Sequence, residues 1–131
     1  MNPKVRACLY IDDFECTPDS VTSILGIQPT RIWFTGDKIE KSILVKSSNG
    51  WMLESPLVKE VDPEIHIKWL IDHLPENLEI LRSKTLKWDA QLSLVLEMAD
   101  ETPPFNLTKA TIARIAQLGL SLDVDMYIAN E

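Results

Sequence analysis

Leu25-Gly26-Ile27-Gln28-Pro29-Thr30-Arg31-Ile32-Trp33-Phe34-Thr35-Gly36-Asp37 decides how the chain is read. The Leu-Gly pair ends a helix, because glycine takes the left-handed conformation that stops one. Alternation from Arg31 to Thr35 then marks a strand, with Ile32 and Phe34 on one face and Arg31 and Trp33 on the other. Gly36-Asp37 supplies a turn. A shorter echo, Leu118-Gly119-Leu120-Ser121-Leu122-Asp123-Val124-Asp125-Met126-Tyr127, lies near the other end. Two such helix-to-strand units imply one sheet that receives both strands.

Working outward, Val5, Ala7, Leu9 and Ile11 alternate with Arg6, Cys8, Tyr10 and Asp12, the period of a strand with one face inward. Thr17-Pro18-Asp19 is a helix start, and Val21, Ile24 and Leu25 form its apolar stripe. Ile43-Leu44-Val45 and Trp51-Met52-Leu53 flank Asn49-Gly50, a dipeptide that tolerates positive φ and so predicts a hairpin turn. Asp62-Pro63-Glu64 opens the longest helix, with Ile67, Leu70, Ile71, Leu74, Leu78 and Leu81 on one stripe and a kink or break at Pro75. Ile65, His66, Trp69, His73 and Ile80 fall on a second face of that helix. Asp89 to Met98 alternates as a strand, and Thr108 caps a last helix carrying Ile112, Ile115, Ala116 and Leu118. The final strand is expected to bury Leu122, Val124, Met126 and Ile128 and to turn Asp123, Asp125 and Tyr127 the other way.

The order of elements matches the β-α-β-β-α-β succession of a ferredoxin-like fold with an appended α-β unit. The echo at the two ends also permits a parse as two related β-α-β halves. Either parse gives an α+β class, a single domain over residues 1–131, helices on one sheet face and a second face partly open.

The chain has 131 residues, 45% hydrophobic and 25% charged, with a net charge of -7 and a pI near 4.8. Nucleic acid and anionic membranes would repel such a surface, so neither is expected as a partner. A basic protein suits it, and a homodimer that closes the open face is the other partner considered. Acidity of this size also simply keeps a protein soluble. Cys8 and Cys16 lack metal or redox spacing, no apolar run reaches the ~20 residues of a membrane span, and the first residues lack the apolar stretch of a signal peptide. The expected location is cytoplasmic.

Chemistry-bearing patterns are sparse. His66 and His73 sit seven apart, whereas two zinc ligands on one helix sit at i and i+4. They read most simply as two histidines of a surface helix with Trp69 between them; the sharper alternative is a recognition face with Trp69 and Ile80 as anchors and the imidazoles at the rim. Asp37 reads as a turn residue and Trp51 as a core aromatic, with a shared pocket as the sharper alternative. Arg31, Asp37, Trp51, Asp125 and Tyr127 are the contacts expected if the hairpin and sheet face hold a small molecule. There is no G-x-S-x-G, phosphate loop or dinucleotide fingerprint. Cys16 beside a helix start is the only candidate nucleophile, with no evident base, so no catalytic residue, metal or cofactor is implied.

Leu25-Gly26 with Pro29-Thr30, Gly36-Asp37, Asn49-Gly50-Trp51 with Ser55, His66-Ile67 with Leu70 and Leu74, and the Leu118-Gly119…Asp125-Met126-Tyr127 ending resemble the bacterial domain-of-unknown-function family 4279. The resemblance spans nearly the whole chain. It implies a small single-domain protein and carries no activity with it. The expectation is a non-catalytic acidic protein-interaction module, such as an immunity-type or regulatory protein, with a small-molecule-binding domain as the alternative.

Overall fold

The computed structural model describes residues 4–12, 17–74, 89–98 and 105–128. They form β1 (Lys4–Asp12), α1 (Pro18–Leu25), β2 (Arg31–Trp33), β3 (Gly50–Glu54), α2 (Pro63–Asp72), β4 (Asp89–Met98), α3 (Lys109–Gln117) and β5 (Ser121–Ile128). The five strands make one sheet in the order β2-β3-β1-β4-β5. β1 runs antiparallel to both β3 and β4, β2 runs antiparallel to β3, and β5 runs parallel to β4. This is a mixed α+β architecture with three helices among the described residues.

Alternation places Val5, Ala7, Leu9 and Ile11 of β1 on one face, joined there by Trp51 and Leu53 of β3 and by Leu92, Leu94 and Leu96 of β4. Val21 and Leu25 of α1, Ile67, Leu70 and Ile71 of α2, and Ile115 of α3 close over them. Each fully buried large side chain contributes roughly 1.5–3 kcal/mol relative to exposure. The Trp51 indole N–H donates to Thr22 Oγ1 at 3.0 Å, so α1 is fixed to β3 by a polar contact as well as by packing.

The helix starts follow the expected chemistry. Thr17, Asp62 and Thr108 each accept a backbone N–H from the first turn of their helix. Gly26 ends α1 in the left-handed region at φ 71°. Glu64 also accepts the backbone N–H of Thr108, which ties the first turn of α2 to the cap of α3.

Several expectations need correction. β2 covers only Arg31–Trp33, and Ile43-Leu44-Val45 form no strand with Trp51–Leu53. Val45 instead makes an isolated bridge to Lys38, and Ile43 is 97% exposed. Asn49-Gly50 is not a hairpin turn: Gly50 opens β3 and lies opposite both Trp33 and Asp12. Its missing side chain serves a close approach, because a Cβ there would fall 1.8 Å from Trp33 Cε2. Asn49 Oδ1 accepts the Thr35 backbone N–H at 2.8 Å. On β5, Leu122 and Val124 pack on the core, while Met126 and Ile128, on the edge strand, are exposed. Ile112 of α3 is exposed as well. The predicted stripe beyond Leu74, with its kink at Pro75, lies outside the described residues.

Leu94, fully buried on β4, is the clearest test of this core. Leu94→Ala should lower the unfolding free energy by about 2–5 kcal/mol in a denaturant titration. Ile43→Ala should change it by less than about 0.5 kcal/mol; equal losses would contradict the placement of both residues.

Candidate functional site

The sheet face turned away from the helices is the natural candidate, and strand register lays it out in rows. Arg31, Met52, Tyr10, Gln91 and Ser121 cross it at one level, followed by Glu54, Cys8, Ser93 and Asp123. Arg6, Val95 and Asp125 form the next row, and Lys4, Glu97 and Tyr127 the last. The β1–β3 side carries Arg6 held by Glu54, with Nε and Nη2 donating to Oε1 at 3.0 and 2.9 Å. The β4–β5 side carries Glu97, Asp123 and Asp125, and none of the three has an ion-pair partner among the described residues.

The Trp33 indole occupies the space beside Gly50, 6.4 Å from the Tyr10 ring, with Lys46 Nζ 4.7 Å from its ring centre. Cys8, on the same face opposite Glu54, is 3% exposed. Burial first, and then the charge of Glu54, push its thiol up to about 11, so it stays protonated and is a poor nucleophile near neutral pH. Cys16 lies outside the described residues.

The predicted site residues do not converge. Arg31 is on β2 and Asp125 and Tyr127 on β5, the opposite edge, roughly 19 Å away at about 4.8 Å per strand. Asp37 Oδ2 accepts the Phe34 backbone N–H at 2.7 Å, as a turn residue does. Trp51 is in the core and 0% exposed. Trp69 is half-buried against the core and stacks on His73 with ring centres 4.1 Å apart. His73 Nδ1 lies 2.6 Å from the Trp69 carbonyl, to which it donates.

His66 corrects the expectation of a surface residue, being 1% exposed. Its Nε2 faces the Val58 carbonyl at 3.1 Å and must donate to it, so Nδ1 accepts the Ser55 hydroxyl at 2.8 Å. The pair bridges the segment after β3 to α2. Burial draws the His66 pKa below its usual value, which keeps the ring neutral. Ser55 also lines a cleft of about 500 Å³ with Arg6, Glu54, Lys59 and Glu60. A neighbouring hollow of about 190 Å³ lies among Lys4, Arg6, Val95, Glu97 and Tyr127. The described residues hold no group of three His, Cys, Asp or Glu able to bind a metal.

The family model of a domain of unknown function, DUF4279, matches residues 3–129. The chain belongs to this family. No curated protein and no solved structure shows a significant match to it. In this DUF4279 chain no described helix is long and apolar enough to cross a membrane.

Sequence reasoning missed the Ser55–His66 bridge and the Arg6–Glu54 pair. Both depend on the β1–β3 register, with Cys8 opposite Glu54, which local periodicity does not carry. A Ser-to-His spacing of eleven is no signal by itself.

Ser55→Ala should destabilise the domain by about 1–3 kcal/mol, because it strands a buried ring nitrogen. With its folded pKa depressed, His66 stays neutral while the unfolded histidine takes up a proton. Stability should therefore fall as pH drops below about 6.5, levelling once the folded pKa is passed. His66→Gln should lack that slope in unfolding measured between pH 5 and 8; an unchanged slope would assign the titration to another group.

Proposed function

We propose that this chain is a non-catalytic, acidic protein-interaction module that receives a basic protein surface on the β4–β5 half of its open sheet face. An immunity-type or regulatory protein of the bacterial cytoplasm is the concrete form of this reading. The order β2-β3-β1-β4, with each neighbouring pair antiparallel, supports a ferredoxin-like core to which α3 and β5 are appended.

The observation that carries the reading is the strip of Glu97, Asp123 and Asp125 on adjoining strands, none of which forms an ion pair among the described residues. Tyr127, 46% exposed beside Glu97, supplies an aromatic anchor of the kind that dominates binding energy. Complementary charge speeds encounter and selects basic partners. The reading is non-catalytic because the sequence carries no nucleophile-and-base signature.

A decalysine peptide is a suitable cationic probe, followed by backbone-amide shifts in NMR. The largest shifts should fall on residues 95–98 and 121–127 and shrink steeply from 50 to 500 mM salt. Asp123→Asn with Asp125→Asn should weaken the binding about tenfold. Shifts spread evenly over all exposed carboxylates, or insensitive to salt, would overturn the reading.

A small-molecule role has one observation in its favour: the 500 Å³ cleft falls within the range of ligand sites. Its contacts would be Arg6, Ser55 and Lys59 rather than the scattered residues expected from sequence. Native mass spectrometry of the purified protein should then show a retained small mass that Arg6→Ala and Lys59→Ala together remove.

A further inference from the structure

On the open face the cations Lys4 and Arg6 stand on β1 and the carboxylates Asp123 and Asp125 on β5, with β4 between them, an arrangement that two copies can match. Within one copy, Arg6 and Asp125 share a row but stand two strands apart, about 10 Å, and form no ion pair with each other. A twofold axis in the plane of contact and parallel to β4 exchanges β1 of one copy with β5 of the other while keeping every row at its level. An axis along β1 would instead place β5 opposite the short β2 edge, beyond the reach of Lys4 and Arg6.

We propose that the protein self-associates through this face, two copies meeting across a twofold axis along β4 so that Arg6 of each opposes Asp125 of the other. The inference rests on the reading of the open face as an interaction surface and names a second copy as its occupant. Arg6 uses Nε and Nη2 on Glu54, leaving Nη1 for a second carboxylate. Val95, between Arg6 and Asp125, meets its own copy on the axis and gives the contact an apolar centre.

The hollow of about 190 Å³ supplies the steric half of the fit. The same rotation carries Tyr127 over Lys4 of the other copy, at the mouth of the hollow that Lys4, Arg6 and Val95 line together with that copy's own Glu97 and Tyr127. There its ring can fill the depression and lie against the ammonium group. Glu97 meets its copy near the axis, and Lys4, in register with it on β1, provides one ammonium per carboxylate. Symmetry makes each of these contacts twice, as in any isologous interface.

The footprint is three strands wide, and each copy carries a charge of -7, so the dimer belongs to the weak, transient class. Sedimentation velocity from 10 to 500 µM in 150 mM NaCl should show a concentration-dependent monomer–dimer equilibrium. Asp125→Arg should weaken it at least tenfold, and adding Arg6→Asp should restore it, with circular dichroism confirming that both variants are folded. Val95→Cys should couple into dimers with a short bismaleimide, whereas Ile43→Cys, on the distant loop before β3, should not. A wild type that stays monomeric at 500 µM, a double swap without recovery, or equal coupling at both cysteines would overturn the proposal. Monomers that still bind decalysine on residues 95–98 and 121–127 would do so while leaving the interaction-surface reading intact.

Discussion

β1 is hydrogen-bonded along both edges, to β3 and to β4, and the commitment of its two faces governs everything else. Four apolar residues must meet the helices, and the residues between them must then line the opposite face. A slip of one residue would exchange the two sets, so the register is strongly specified. Once β1 is fixed, α2 packs against it, Glu64 on α2 fixes the start of α3 through Thr108, and α3 delivers β5 parallel to β4. The appended edge strand, and with it the acidic strip, therefore depends on a chain of contacts that begins in the centre of the sheet.

What could be read in the sequence was what each segment decides for itself. The alternation of β1 and β4, the caps at Thr17, Asp62 and Thr108, and the stop at Gly26 are local, and they stand in the structure as expected. Failures arose where a residue answers to a distant neighbour. Asn49-Gly50 has turn chemistry, yet Gly50 is small because Trp33 lies on it. His66 falls on the outer face when the helix is considered alone, and the segment from Ser55 to Val58 turns that face into an interior. Met126 and Ile128 continue an apolar alternation on an edge strand that leaves them exposed.

The candidate site was legible to the same degree. Alternation assigned Arg6, Tyr10, Arg31, Trp33, Asp123, Asp125 and Tyr127 to one face, but strand order decides which of them adjoin. Two carboxylates at i and i+2 on one strand, about 7 Å apart, repel by roughly 0.6 kcal/mol in water. Asp123 and Asp125 are exposed, so water and salt screen this repulsion. Any surface that covers them removes that screening and must bring cations in return. The strip is thus tolerant of solvent and selective about what displaces it, a selectivity that comes from repulsion as much as from attraction.

The indole laid on Gly50 has a spectroscopic consequence. Trp51 is sealed in the core and bonded to Thr22, while Trp33 lies on the open face between Tyr10 and Lys46. One ring senses whether the chain is folded, and the other senses what rests on the sheet. A ring resting on a bare glycine, with a lysine ammonium beside it, has a polarity set largely by its surroundings above the sheet. Trp33 is therefore a native fluorophore at the β2 edge of the open sheet face, and its emission colour can change while that of Trp51 does not.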